Sequence, residues 1–101
     1  MFHCVYFWLK KDLSAADRAT FENELELITR ISYLAAAWKG KPAEVPARPV
    51  CDQSFDWSLI VNFKTLADHD FYQSGCKDHQ RFVDTCKTFW DKVVIYDMTP
   101  Q

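Results

Sequence analysis

Apolar positions recur every second residue in some stretches of this chain and every third or fourth in others, and each change of period marks an element. In residues 2 to 9, Phe2, Cys4, Tyr6 and Trp8 fall on one face of a strand and His3, Val5, Phe7 and Leu9 on the other. Both faces are largely apolar. Ser14-Ala15-Ala16-Asp17 then offers a helix start, with a hydroxyl to accept from an orphan N–H and an acidic side chain near the positive helix end. Phe21, Leu25 and Ile28 follow at i, i+4 and i+7, so residues 15 to 30 read as an amphipathic helix with Glu22, Glu24 and Glu26 on its solvated side.

Residues 32 to 39 are read as a strand, because the run before Gly40 is short, although its alanines favour a helix. Pro42, Pro46 and Pro49 break the next stretch, a connection of about fourteen residues of the kind that serves as a lid, arm or binding loop. Phe55, Trp57, Leu59, Val61 and Phe63 alternate with Asp56, Ser58, Ile60 and Asn62, a half-buried strand. Thr65-Leu66-Ala67-Asp68 opens a short helix that Gly75 ends. His79, Phe82, Val83, Cys86, Phe89 and Trp90 then form one apolar stripe at helical spacing, and Val93 to Met98 closes the chain as a strand.

The order is β-α-β-β-α-β, the second helical region being in two pieces. This predicts an α+β, ferredoxin-like fold over residues 1–101 as one domain: a four-stranded antiparallel sheet with its helices on one face. The other face would leave Phe2, Tyr6 and Trp8 in water. Two such sheets packed face to face, a dimeric α/β barrel, would cover that patch with two-fold symmetry.

Composition agrees with a partner or a pocket. The chain of 101 residues is 49% hydrophobic and 16% aromatic, with eight Phe, four Trp and four Tyr, a large apolar surface for so small a core. A formal charge of -2 gives no electrostatic footprint for nucleic acid or an anionic membrane. The start, Met1-Phe2-His3-Cys4, has no features of a signal peptide, and no run is apolar enough to span a bilayer, so a cytoplasmic location is expected. Cys4, Cys51, Cys76 and Cys86 contain no C-x-x-C spacing, so they are read as reduced thiols and no metal is assigned. Gly40 and Gly75 are the only glycines, which leaves no phosphate-cradling loop, and no cofactor is assigned.

Several segments together resemble the stress-responsive A/B barrel family of dimeric α/β barrels. They are His3-x-Val5-x-Phe7-x-Leu9, Arg48-Pro49-Val50 before Ser54-Phe55-Asp56, Tyr72-Gln73 followed by His79, and the ending from Trp90 to Asp97. The resemblance implies the same fold and a homodimer. The family includes plant stress proteins without a clear activity and olivetolic acid cyclase, which closes a polyketide ring by aldol chemistry in a pocket between sheet and helices. By that resemblance His3 and His79 match two pocket histidines, and Tyr72 lies near a pocket tyrosine with one extra residue before His79. Trp57 and Leu25 stand where the cyclase carries a histidine and a tyrosine, so two polar groups are gone.

His3 and His79, brought to one cleft, would supply a base near neutral pH able to take a proton next to a carbonyl, with Tyr72 to orient it or to donate to an enolate oxygen. The plain alternative leaves each imidazole bonded to a backbone carbonyl, Trp57 in the core, and His69, beside Asp68 and Asp70, on the surface. Asp56 and Asp97 are too distant in sequence to be read as a catalytic pair. Three functions stay open: a small-molecule binder with a pocket lined by His3, Trp57, Tyr72 and His79, a cofactor-independent cyclase- or isomerase-type enzyme using His79 as acid and base, and a structural oligomer.

Overall fold

The alternation at the start of the chain sets the sheet. In the computed structural model, which describes residues 1–101, β1 (Phe2–Leu9) buries His3, Val5, Phe7 and Leu9 and leaves Phe2, Cys4, Tyr6 and Trp8 half-buried on the opposite face. It pairs antiparallel with both β3 (Trp57–Asn62) and β4 (Trp90–Met98), and β2 (Ala36–Gly40) pairs with β3, giving the order β2-β3-β1-β4. The fold is the expected ferredoxin-like α+β arrangement.

Three helices close one face. Ser14 Oγ accepts from the Asp17 N–H at 3.1 Å and starts α1 (Ala15–Thr29); Thr65 Oγ1 accepts from the Asp68 N–H at 3.1 Å and starts α2 (Leu66–Ser74). Helix α3 (Lys77–Cys86) follows after two residues. Phe21, Leu25 and Ile28 of α1, Tyr72 of α2, and Phe82 and Cys86 of α3 join Val5, Phe7, Leu9, Leu59, Val61 and Phe63 in one core. Gly75 ends α2 with φ at -128°, an ordinary backbone conformation. Its side is crowded instead, since a Cβ there would approach the Phe71 ring to 2.9 Å.

The elements differ from the sequence reading where tertiary contacts take over. The strand expected from residue 32 begins at Ala36, because residues 30 to 34 are spent in tight turns, with the Ile31 N–H on Ile28 O and the Leu34 N–H on Ile31 O. The strand expected over 55 to 63 is shorter, since the Asp56 carboxylate takes the Leu9 N–H at 2.7 Å in place of a ladder bond. The apolar stripe runs off α3 at Cys86. Phe89 lies in a turn, its N–H on Cys86 O and its carbonyl accepting from the Lys10 N–H, and Trp90 opens β4. Trp90 still reaches the core, with its ring 5.5 Å from that of Phe7 and 5.9 Å from that of Phe82.

Glu24, expected in solvent, is buried. It falls three residues after Phe21 and four before Ile28, on the apolar stripe itself, and Arg81 of α3 neutralises it through a 2.9 Å hydrogen bond.

The face away from the helices is apolar and open. Met98 lies opposite Phe2 and Tyr96 opposite Cys4, while Trp38 joins the same face through Ile60; all three of these added side chains are more than half exposed. The irregular connection after β2 lays Phe55 edge-on against Tyr6, with centroids 5.1 Å apart, and so covers one end of that face.

Candidate functional site

His3 enters the site by strand parity and Asp97 by register. The two are direct cross-strand partners on the helix-covered face, and side chains so placed meet even though 94 residues separate them. The His3 Nδ1 is 2.6 Å from Asp97 Oδ1, with the imidazole buried and the carboxylate partly exposed. An ionised carboxylate only accepts, so Nδ1 carries the proton and Nε2 keeps its lone pair.

Helices α2 and α3 supply the rest. Tyr72, almost wholly buried, stands edge-on to His3 with centroids 5.8 Å apart. His79, in the first turn of α3, stacks on the Tyr72 ring at 4.0 Å with 30° between the planes. These three residues line a cavity of about 200 Å³ whose remaining walls, among them Val5, Leu59, Phe82 and Ile95, are mostly apolar. The structure thus brings together His3, Tyr72 and His79.

Trp57 is not with them. It pairs with Phe7, whereas His3 pairs with Val61, four residues or about 13 Å along the strand. Its ring sits instead beneath the ammonium groups of Lys39 and Lys41, 5.1 and 4.9 Å from the centroid. Leu25 is fully buried in the core.

Burial governs the protonation of the cavity groups. Desolvation holds the His3 imidazole below its usual range, against the hydrogen bond and charge of Asp97, which pull it up. Desolvation likewise lowers His79, opposed by a hydrogen bond to the Tyr72 backbone and assisted by His3. Tyr72 is pushed well above the ordinary phenol range by burial. Near neutral pH the cavity therefore offers two neutral imidazoles and a phenol O–H, groups suited to accept and return a proton or to hold a carbonyl or hydroxyl oxygen.

His69 was expected on the surface and is only partly exposed there, its ring turned inward. It precedes Tyr72 by three residues, which puts the two on one face of α2, and that spacing was the available signal. Its ring lies 5.5 Å from those of both His3 and Phe63. The Nδ1 is 3.2 Å from Asp70 Oδ1, while Nε2 is buried without a hydrogen-bond partner. Asp97 was likewise set aside for its distance in sequence and proves to be the partner of His3. The four cysteines are free thiols, with Cys76 and Cys86 buried and Cys4 and Cys51 half-buried.

Known proteins share this fold. The family model described as the stress responsive A/B barrel domain matches residues 1–100. No curated protein sequence matches the chain. Among solved structures, the protein At3g17210 from Arabidopsis thaliana is 19% identical with a TM-score of 0.76, over 99% of this chain and 94% of that one. A dimeric ferredoxin-like protein of unknown function from Thermobifida fusca is 14% identical with a TM-score of 0.72, over 94% and 85%. Hydroxynitrile lyase from Passiflora edulis is 17% identical with a TM-score of 0.74, over 94% and 87%. At such identities the likeness establishes the fold, and the family match, over nearly the whole length, establishes the kinship: this chain belongs to the Dabb family of stress responsive A/B barrel domains.

Proposed function

We propose that the protein is a cytosolic homodimer that binds a small apolar or aromatic molecule in the cavity between its sheet and helices α2 and α3. The observation that carries this is the cavity itself, about 200 Å³, mostly apolar, with His3, Tyr72 and His79 converging on it. An occupant would bury a ring or short chain against Val5 and Phe82 and direct one oxygen toward the imidazoles. The open sheet face, with Tyr6, Trp8, Trp38 and Tyr96, supports pairing with a second copy, as do structural neighbours that are themselves dimeric. No helix is long and apolar enough to cross a membrane, and the four free thiols suit a reducing compartment.

The test is displacement of a fluorescent apolar probe by aromatic and β-keto compounds. One site per chain is expected, with affinity falling about tenfold or more in His79→Ala. A probe that binds wild type and variant alike would place the site elsewhere.

A second reading, acid–base catalysis without a cofactor, is favoured by the 2.6 Å His3–Asp97 contact, which holds a neutral imidazole in one tautomer. His79 would take a proton from the bound molecule and return it, with Tyr72 donating to the developing oxyanion. The Passiflora edulis neighbour, a hydroxynitrile lyase, has the same fold. Turnover of β-keto compounds or hydroxynitriles that persists undiminished in His79→Ala would remove that histidine from the mechanism.

A further inference from the structure

Beside the cavity, one donor atom each of His3, His69 and Asp97 lies within 4.8 Å of the other two. Two observations separate this cluster from an ordinary polar patch. The His69 Nε2 is buried without a partner, a condition that is destabilising if nothing engages the atom. The other ring nitrogen of His69 faces the Asp70 carboxylate at 3.2 Å. A carboxylate there keeps the proton on Nδ1 and leaves the Nε2 lone pair free, which is how metal-binding histidines are oriented by a second carboxylate.

We propose that His3, His69 through Nε2, and Asp97 hold a divalent cation of the zinc class, with Asp70 positioning the His69 ring. Two imidazoles and one carboxylate form a donor set for Zn²⁺ and its first-row neighbours, and three protein donors leave a position for water or for an oxygen of a bound molecule. A tetrahedral ion with bonds of ~2.0–2.1 Å spaces its donors about 3.3 Å apart. His69 must therefore draw in, and His3 Nδ1 and Asp97 Oδ1, 2.6 Å apart without an ion, must part to admit one. Asp97 has the freedom to do so, its side chain being 41% exposed on an edge strand. Ion and proton compete for His3, so the metal-bound form and the His3–Asp97 hydrogen bond are alternative states. The inference goes beyond the cavity reading and does not require it.

The test uses the full chain stripped with a chelator, titrated with Co²⁺ under visible absorption and with Zn²⁺ by calorimetry. One ion per chain is expected, with no thiolate-to-cobalt charge-transfer band. His69→Ala and Asp97→Asn should each weaken binding by 100-fold or more, on the order of the loss of a ligand, and Asp70→Asn by about 10- to 100-fold, the effect of an orienting partner. Far-UV circular dichroism establishes that each variant is folded, and Asp97→Asn, conservative and exposed, tests the site if His69→Ala does not fold. Absence of binding below about 1 mM, a thiolate band, or wild-type affinity in Asp97→Asn overturns the proposal. Probe binding in the cavity, measured with chelator present, tests the other reading without the ion, so each can fail alone.

Discussion

The His79 imidazole lies nearly flat on the Tyr72 ring, centroids 4.0 Å apart, and so couples the first turn of α3 to the inner face of α2. Tyr72 is also edge-on to Phe63 and His3, which makes it the hinge between cavity and core. Replacing it with Ala removes a buried ring and should cost about 3–5 kcal/mol in a urea titration, while Tyr72→Phe keeps the packing and should stay within about 1.5 kcal/mol of wild type. Equal losses for the two would mean that the hydroxyl, not the ring, does the stabilising.

Stability should fall as the solution is acidified below neutrality. His79 has its pKa lowered from 6.5, so in the window below 6.5 the unfolded chain binds a proton that the folded chain refuses. The stability present above that value is lost as pH drops toward the folded-state pKa. Denaturation midpoints at pH 7.5 and pH 5.5, roughly one unit either side of the ordinary imidazole value, check this: the lower pH should give the lower midpoint, and His79→Gln should shrink the difference. An unchanged difference in the variant would assign the effect to other groups.

Arg81→Ala should destabilise although Arg81 is mostly exposed. The reason lies in its partner, since Glu24 keeps only 11% of its side chain in solvent and would lose its 2.9 Å donor. A loss of about 1–3 kcal/mol is expected for a carboxylate left without its charged hydrogen bond. Glu24→Gln in the same background should recover part of it, which chemical denaturation of the double variant measures.

Trp57→Ala should lower stability and leave probe affinity in the cavity unchanged. The indole packs under Lys39 and Lys41 at the far end of β3 from His3. A tenfold loss of probe affinity in a variant with native circular dichroism would return Trp57 to the binding site.

Trp8→Glu should dissociate the proposed homodimer. Trp8 belongs to the open sheet face with Tyr6, next to Lys92, whose ammonium stands 4.6 Å over its ring. Two-fold pairing would bury the introduced carboxylates, each beside Lys92, in an apolar interface, where even a paired charge loses its hydration and the packing of the indole is gone. Sedimentation velocity at micromolar concentration should report a dimer for wild type and a monomer for the variant; a wild-type monomer would end the dimer proposal.

The element order was written in the sequence, because it rests on local periodicity. Strict alternation in residues 2 to 9 and helical spacing from Phe21 to Ile28 say which side chains face inward wherever the partner lies, and Ser14 and Thr65 mark helix starts by chemistry within three residues. Element ends were less legible. A turn at Phe89 or an aspartate replacing a ladder bond at residue 56 depends on what the neighbouring strand presents. The site divides the same way. His3 on an inward strand position and His79 on an apolar stripe could be found by pattern, as could the burial of Glu24 had its place at i+3 from Phe21 outweighed its charge. That Asp97 faces His3, that His69 turns its Nε2 inward, and that Trp57 lies about 13 Å along the strand from the His3 position were settled by strand register and by the seating of α2 on the sheet. Pattern along a chain fixes which way a side chain points; only the long-range pairing of β1 with β3 and β4 fixes which residue it meets.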